Sequence, residues 1–221
     1  GAAIAINDGV SSLYVNPKSG GGYTLHPLYG LHLLSTTTNC TFVNPIFEQK
    51  NTVNGGGLKI DLGANANRFL GGTFEDTYNG MNIAGSNNVF VAQFLEDNTN
   101  RDVICTGLFN NFFGFICSET LGHAISTFEL GVSGSANALF GGIIGNLLTN
   151  AGCSSNMLFG VTIQGTVTDN SATTEYVNCS TYVWNGVSYD YTKLPNKFYR
   201  GTELNGYVSM PIATLTDATY T

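Results

Sequence analysis

Large apolar residues along this chain recur in short phrases, not at helical spacing. Six stretches carry the same order: NCTFVNPIFEQ (39–49), ANRFLGGTFED (66–76), NNVFVAQFLED (87–97), NNFFGFICSET (110–120), ANALFGGIIGN (136–146) and SNMLFGVTIQG (155–165). Each reads as an Asn, an apolar anchor, a small turn, and a second strand ending near an acid. The anchors are Phe42, Phe69, Phe90, Phe113, Leu139 and Leu158, spaced by 27, 21, 23, 26 and 19 residues. A period near this length with no helical pattern inside it is the signature of a solenoid.

Positions inside the repeat have distinct jobs. Two residues before the anchor stand Asn67, Asn88, Asn111, Asn137 and Asn156, with Cys40 in the first turn. Stacked Asn side chains hydrogen-bond along a pile of equivalent turns. Five residues after the anchor come Phe47, Phe74, Leu95, Ser118, Ile144 and Ile163. Between them lie Gly71, Gly141 and Gly160, with Ala92 as a near-equivalent, the composition of a sharp corner between strands. A third strand follows, as in Leu58-Lys59-Ile60, Met81-Asn82-Ile83 and Asp102-Val103-Ile104. Three short parallel strands per turn predict an all-β fold, a right-handed parallel β-helix, with handedness set by the rule for parallel crossovers. Residues 39–178 are its repeats, 1–38 supply irregular N-terminal turns, and 179–221, where the repeat is lost, read as a C-terminal cap or trimerisation segment over unpaired strands.

The residue just after each anchor is Val43, Leu70, Val91, Gly114, Phe140 and Phe159. Strand alternation points it outward, making an exposed apolar ridge of the kind that joins subunits, with threefold closure suiting a rod with one sticky face. The alternative is a corner that turns early, with both residues inside.

Composition narrows the partners. Only 10 % of residues are charged, the net charge is −7, and 28 of 221 residues are Gly. There is no basic stripe to neutralise phosphates, so no nucleic-acid partner is expected. No apolar run long enough to span a bilayer is present, so no membrane insertion is expected. The chain opens on Gly1 without a Met, as a piece of something longer would. Cys40, Cys105, Cys117, Cys153 and Cys179 form no metal spacing and read as small buried hydrophobes; no cofactor or metal is implied.

The phrase Asn67-Arg68-Phe69-Leu70-Gly71-Gly72-Thr73-Phe74-Glu75 resembles the pectate-lyase-like β-helices of bacteriophage tailspikes and other receptor-binding appendages. The likeness covers roughly 39–165. It implies a homotrimer, an extracellular virion location, and host attachment through bacterial surface polysaccharide, often with depolymerase activity. It supplies no universal catalytic motif, so no residue is assigned as catalytic by match.

Candidate chemistry sits where the second strand ends. Glu48, Glu75, Glu96 and Glu119 lie six residues after their anchors and should stack on one outer face; the position becomes Gly145 and Gln164 in the last turns. Neighbours about 4.8 Å apart, such as Glu75 and Glu96, approach the roughly 5–5.5 Å of a retaining glycosidase. Alternate pairs, such as Glu48 and Glu96, fall near the top of the inverting range. Asp76 and Asp97 enrich the patch. Three roles stay open for this ladder: a solvated face that resists aggregation, glycan binding, or acid–base catalysis. Inside the repeats no two basic residues occupy equivalent positions, which favours a hydrolase over a lyase. His26, His32 and His123 are isolated in sequence and read as structural. Tyr182, Trp184, Tyr189 and Tyr191 form a second glycan-contact set, because such rings stack on sugar faces.

Overall fold

In the computed structural model, residues 2–19, 28–48, 55–118, 127–171, 173–184 and 188–197 are described. Among them every regular element is a strand, and all pair in parallel until the last two. One sheet has eight strands, Ala2–Ile6, Tyr29–Leu33, Gly56–Ile60, Asn79–Ile83, Arg101–Cys105, Thr127–Leu130, Asn146–Thr149 and Val167–Asp169, each hydrogen-bonded to the next in that order. The second sheet collects the remaining fifteen strands, including Thr41–Val43 with Ile46–Glu48, Arg68–Leu70 with Thr73–Glu75, and Val89–Val91 with Phe94–Glu96. The chain therefore passes through three strands, returns, and lays each on its counterpart one turn earlier. Parallel stacking starts before the first repeated phrase, with Leu13–Val15 on Thr41–Val43 and Lys18–Ser19 on Ile46–Phe47.

Period-two alternation explains the core. In Thr41–Val43, Thr73–Glu75 and Val89–Val91 the middle side chain is buried and its neighbours are not. Tyr14, Phe42, Phe69, Phe90 and Phe112 thereby form one internal pile, with successive ring centroids 4.9, 4.8, 5.0 and 5.0 Å apart. That interval is the strand spacing itself, so parallel pairing and ring stacking reinforce each other. Each fully buried Phe contributes roughly 1.5–3 kcal/mol. The five cysteines are free and buried, and burial pushes the Cys105 thiol up to about 12, so it behaves as a hydrophobe.

A second pile is polar. Asn67, Asn88, Asn110, Asn137 and Asn156 are fully buried. The Oδ1 of each accepts the backbone N–H of the residue one turn before: Cys40, Asn67, Asn88, Asn110 and Asn137, at 2.9–3.0 Å. The side-chain amides of Asn67, Asn88, Asn110 and Asn137 donate to the next Oδ1 at 3.0–3.2 Å. Cys40 and the five ladder Asn residues each follow one in the left-handed region: Asn39, Ala66, Asn87, Phe109, Ala136 and Ser155, at φ 53–58°. That bend turns inward-facing amides away from strand partners, and a carboxamide, donor and acceptor at once, is the side chain that satisfies them. The second corner is also left-handed, at Asn44, Gly71, Ala92, Gly114, Gly141 and Gly160. Beside it, a Cβ on Gly72 would stand 2.4 Å from the Pro45 carbonyl oxygen, so only Gly fits.

The fourth repeat differs from the sequence expectation by one residue. Phe90 pairs with Phe112, not Phe113, and Phe112 with Leu139. The ladder residue is Asn110, not Asn111, and Leu95 pairs with Cys117, not Ser118. The doubled Asn-Asn and Phe-Phe of this turn permit either alignment, and a one-residue slip exchanges inside for outside. The structure takes the register that completes both the Asn ladder and the ring pile.

The residue after the anchor points outward, and the early-corner alternative does not hold. The column runs Val15, Val43, Leu70, Val91, Phe113, Phe140, Phe159, Val177, with Phe113 in the place expected for Gly114. Leu70, Phe113 and Phe159 are 40, 38 and 46 % exposed, and Phe113 stacks on Phe140 at 5.0 Å. Across the corner a second outward column holds Ile46, Thr73, Phe94, Ile116 and Ile143. Two adjoining apolar columns make one apolar face.

Parallel stacking ends at Ser180–Trp184, which carries an antiparallel partner, Tyr189–Lys193. Beyond it Lys197 exchanges backbone hydrogen bonds with Tyr176 and sets its ammonium 2.6 Å from Asp169. Burial pushes the Asp169 carboxyl up, but Lys197, the Thr149 hydroxyl and the Ser171 amide outweigh it and hold the group below its ordinary value.

Candidate functional site

Three of the four predicted ladder glutamates come together. Glu48, Glu75 and Glu96 are direct register partners on adjacent strands, each at the outward third position after a buried Phe47, Phe74 or Leu95. The fourth place belongs to Ser118, which pairs with Glu96, so Glu119 is not the register partner. This follows from the same one-residue shift at Phe112. Glu119 itself lies outside the described residues.

Three carboxylates one strand spacing apart repel, and one of them responds. Glu75, in the middle, is held above its ordinary 4.5 first by burial, then by the charge of Glu48 and a hydrogen bond to it, then by Glu96 and Asp76. Stability follows with a definite sign. A carboxyl with a raised native value holds its proton more tightly folded than unfolded, so its contribution is complete below 4.5 and is lost as pH rises from there through the native value. Glu75→Gln keeps a neutral donor beside Glu48 and removes that loss. The variant is expected to melt higher than the parent at neutral pH and together with it in acid; equal melting at both would show that folding does not raise the Glu75 carboxyl.

Asp76 and Asp97 follow Glu75 and Glu96 at φ 51° and 52°. Asp tolerates this left-handed conformation better than most residues, so turn geometry explains its presence without a ligand. Among the described residues, no group of three His, Cys, Asp or Glu side chains converges to hold a metal ion.

The aromatic set assembles too. Tyr182 lies directly opposite Tyr191, and Trp184 opposite Tyr189, across the terminal antiparallel pair. Tyr191 is 67 % exposed; of Trp184 and Tyr189 only the backbone is described. The pairing Ile163 with Thr181, carried one residue on, puts Tyr182 in the column of Gln164, and hence of Gly145, Ser118 and Glu96. The glutamates and the tyrosine hairpin, separate proposals from sequence, occupy one outer face. From Glu96 to Tyr182 is four strand spacings, about 19 Å.

A third cluster escaped sequence reasoning. On the outer face of the eight-stranded sheet His32 is the register partner of Lys59. His32 Nε2 stands 2.9 Å from Asp61 Oδ2, and Lys59 Nζ 3.2 Å from Asp61 Oδ1. The Lys59 ammonium also lies 5.4 Å from the centre of the Tyr29 ring. The signal was present: His32 and Lys59 are 27 residues apart, the same offset as Phe42 and Phe69. His32 lies ahead of the first repeated phrase, outside the repeats themselves. His26 and His123 lie outside the described residues.

Comparison with protein-family models, with curated proteins and with solved structures returns no match.

Proposed function

We propose that this chain is a segment of a bacteriophage tailspike or related tail appendage, a right-handed parallel β-helix that binds bacterial surface polysaccharide outside the cell. The observation that carries this is the shared face. Glu48, Glu75 and Glu96 repeat along the stacking axis at about the strand interval of 4.8 Å, and Tyr182 lies in the same column four intervals beyond Glu96, with Tyr191 on the strand paired to it. An extended polymer of repeating sugars has the shape to follow such a column, with hydroxyls for the acids to accept and ring faces for Tyr182 and Tyr191 to cover. The adjoining apolar face holds two further copies of the chain in a homotrimer. Stacked rings such as Phe113 and Phe140 show solvent mainly their edges, which suit packing against another apolar surface better than stacking on a sugar.

If the glycan is cut at this face, the chemistry is hydrolysis with Glu75 as acid. Burial and the charges of Glu48 and Glu96 hold its carboxyl above the ordinary value, and Glu96, its register partner one strand spacing away, stands near the roughly 5–5.5 Å of a retaining pair. Glu96, the other neighbour, is then the nucleophile. The test is incubation of the chain with a panel of bacterial capsular and lipopolysaccharide glycans, read by binding and by new reducing ends. Binding with shortening is expected, with Glu75→Gln and Glu96→Gln each losing cleavage and keeping binding. Binding without shortening would leave an adhesive segment; no binding to any glycan would overturn the reading.

A further inference from the structure

The two ends of the stack are built differently. At the N-terminal end the first turn follows the interior pattern. Ser11 and Asn16 take the left-handed corners, at φ 52° and 50°, that Asn39 and Asn44 take one turn on, at 56° and 54°. Ile4, Ile6 and Tyr14 pack on the core, while Leu13 and Val15 are 65 and 60 % exposed. Among the described residues Ala2–Ile6, Leu13–Val15 and Lys18–Ser19 each pair on one side only. This end is an open parallel edge.

The C-terminal end is covered, and its core is polar. The inward column that begins at Ile6 stays apolar through Leu130 and then holds Thr149 and Asp169. The Thr149 hydroxyl and the Ser171 amide donate to one Asp169 oxygen, and Lys197 holds the other. Residues 189–197 run back over the last turn, where a further turn would lie. Tyr189–Lys193 pairs with Ser180–Trp184, the Leu194 amide donates to the Cys179 carbonyl, and Tyr176 and Lys197 exchange backbone hydrogen bonds. The corner amides of Gly71, Ala92 and Gly160 donate to a backbone carbonyl of the following turn. Asn178, at the same corner, donates to Asn196 Oδ1 instead. This strap imitates the hydrogen bonds of a turn without offering a parallel edge.

We propose that the strap and the inward Asp169 carboxylate stop a second copy of this chain from stacking head to tail, its first turn upon this last one. Register sets the fit. Continued by one turn, the columns would place Ile6 of the arriving copy on Asp169, Tyr14 on Tyr176 and Val15 on Val177. The last two contacts extend the interior pile and the outward apolar column. The first closes an apolar side chain over a carboxylate and displaces Lys197, a burial that a charge resists and a neutral group of the same shape does not. Head-to-tail contact does not close on itself, so every added copy leaves the same end free and a filament grows. Inward charges and covered edges are how sheet proteins hold off such growth. The stop acts at the end of the stack, whereas the apolar face proposed for the trimer runs along its length, so neither depends on the other or on glycan binding.

The experiment uses the whole chain at neutral pH, read by sedimentation velocity and electron microscopy. The parent should form discrete particles. Asp169→Asn removes the charge and the ion pair together and should give filaments that lengthen with protein concentration. Lys197→Met loosens the strap but leaves the carboxylate, and should stay discrete. Asp169→Asn combined with Val15→Pro should also stay discrete. The Asn16 amide donates to Val43 in the next turn, so by strand alternation the Val15 amide faces the open edge, and its loss removes a bond that only a stacked copy makes. Far-ultraviolet circular dichroism checks folding, and Asp169→Thr, the residue one turn earlier in the column, serves if Asp169→Asn does not fold. Discrete particles from both Asp169 variants would overturn the stop. Filaments from the parent or from Lys197→Met would overturn the role of the carboxylate. Filaments that persist with Val15→Pro would replace head-to-tail stacking by unspecific aggregation.

Discussion

Replacing Asn110 by Ala is expected to lower the unfolding free energy by about 4 kcal/mol or more, while Asn111→Ala, one residue on, changes it by less than about 0.5 kcal/mol. The contrast follows from what each side chain holds. Asn110 Oδ1 accepts from the backbone and side-chain amides of Asn88, and its own amide donates to the Gly85 carbonyl and to Asn137 Oδ1. All of these groups are buried where water does not replace the lost partner. Each stranded polar group costs about 1–3 kcal/mol, so even partial relaxation leaves a large sum. Asn111, in contrast, makes one exposed bond of 3.4 Å to the Phe109 carbonyl. Denaturant unfolding of both variants checks it. Equal effects would mean that the polar pile is not the element that fixes register in this turn.

Much of this architecture was legible because its determinants repeat. The anchors at Phe42, Phe69 and Phe90 are confirmed as internal, and so are Leu139 and Leu158, because alternation and period acted on the same residues. Where a residue type was doubled, as in Asn110-Asn111 and Phe112-Phe113, the local pattern was degenerate, and only the neighbouring turns decide. That single slip carried into the candidate site, turning an expected ladder of four acids into three acids and Ser118. The candidate site was legible in part for a related reason. Glu48, Glu75 and Glu96 share an offset from their anchors and could be read as a column. Tyr182 reaches the same column through a strand outside the repeated phrase, and His32 meets Lys59 through a turn before it. Loops between turns vary in length, so residues brought together across them share no local pattern; parallel pairing, a long-range property, is what unites them.

Phe112→Ala is expected to cost about 3–5 kcal/mol, the range for emptying a large ring from a closed core. The ring lies 5.0 Å from Phe90 in a stacked pair and meets Phe115 and Phe128 edge-on at 5.2 and 5.3 Å. Removing it takes a layer out of the internal pile that no neighbour on a paired strand can refill. Phe113 has the same side chain, and its outcome separates two kinds of apolar burial. At 38 % exposure and stacked only on Phe140, it loses little intramolecular packing when changed, so Phe113→Asp should leave the fold of an isolated chain in place. Its effect belongs to association. In the proposed homotrimer a carboxylate in the middle of the outward apolar face would be stranded inside the interface, and the variant is expected to sediment as a monomer at concentrations where the parent is expected to sediment as a trimer. Because the two residues are adjacent and chemically identical, the pair isolates orientation as the variable. A parent chain that is monomeric at micromolar concentration would remove the interface from the proposal while leaving the Phe112 result to stand on core packing alone.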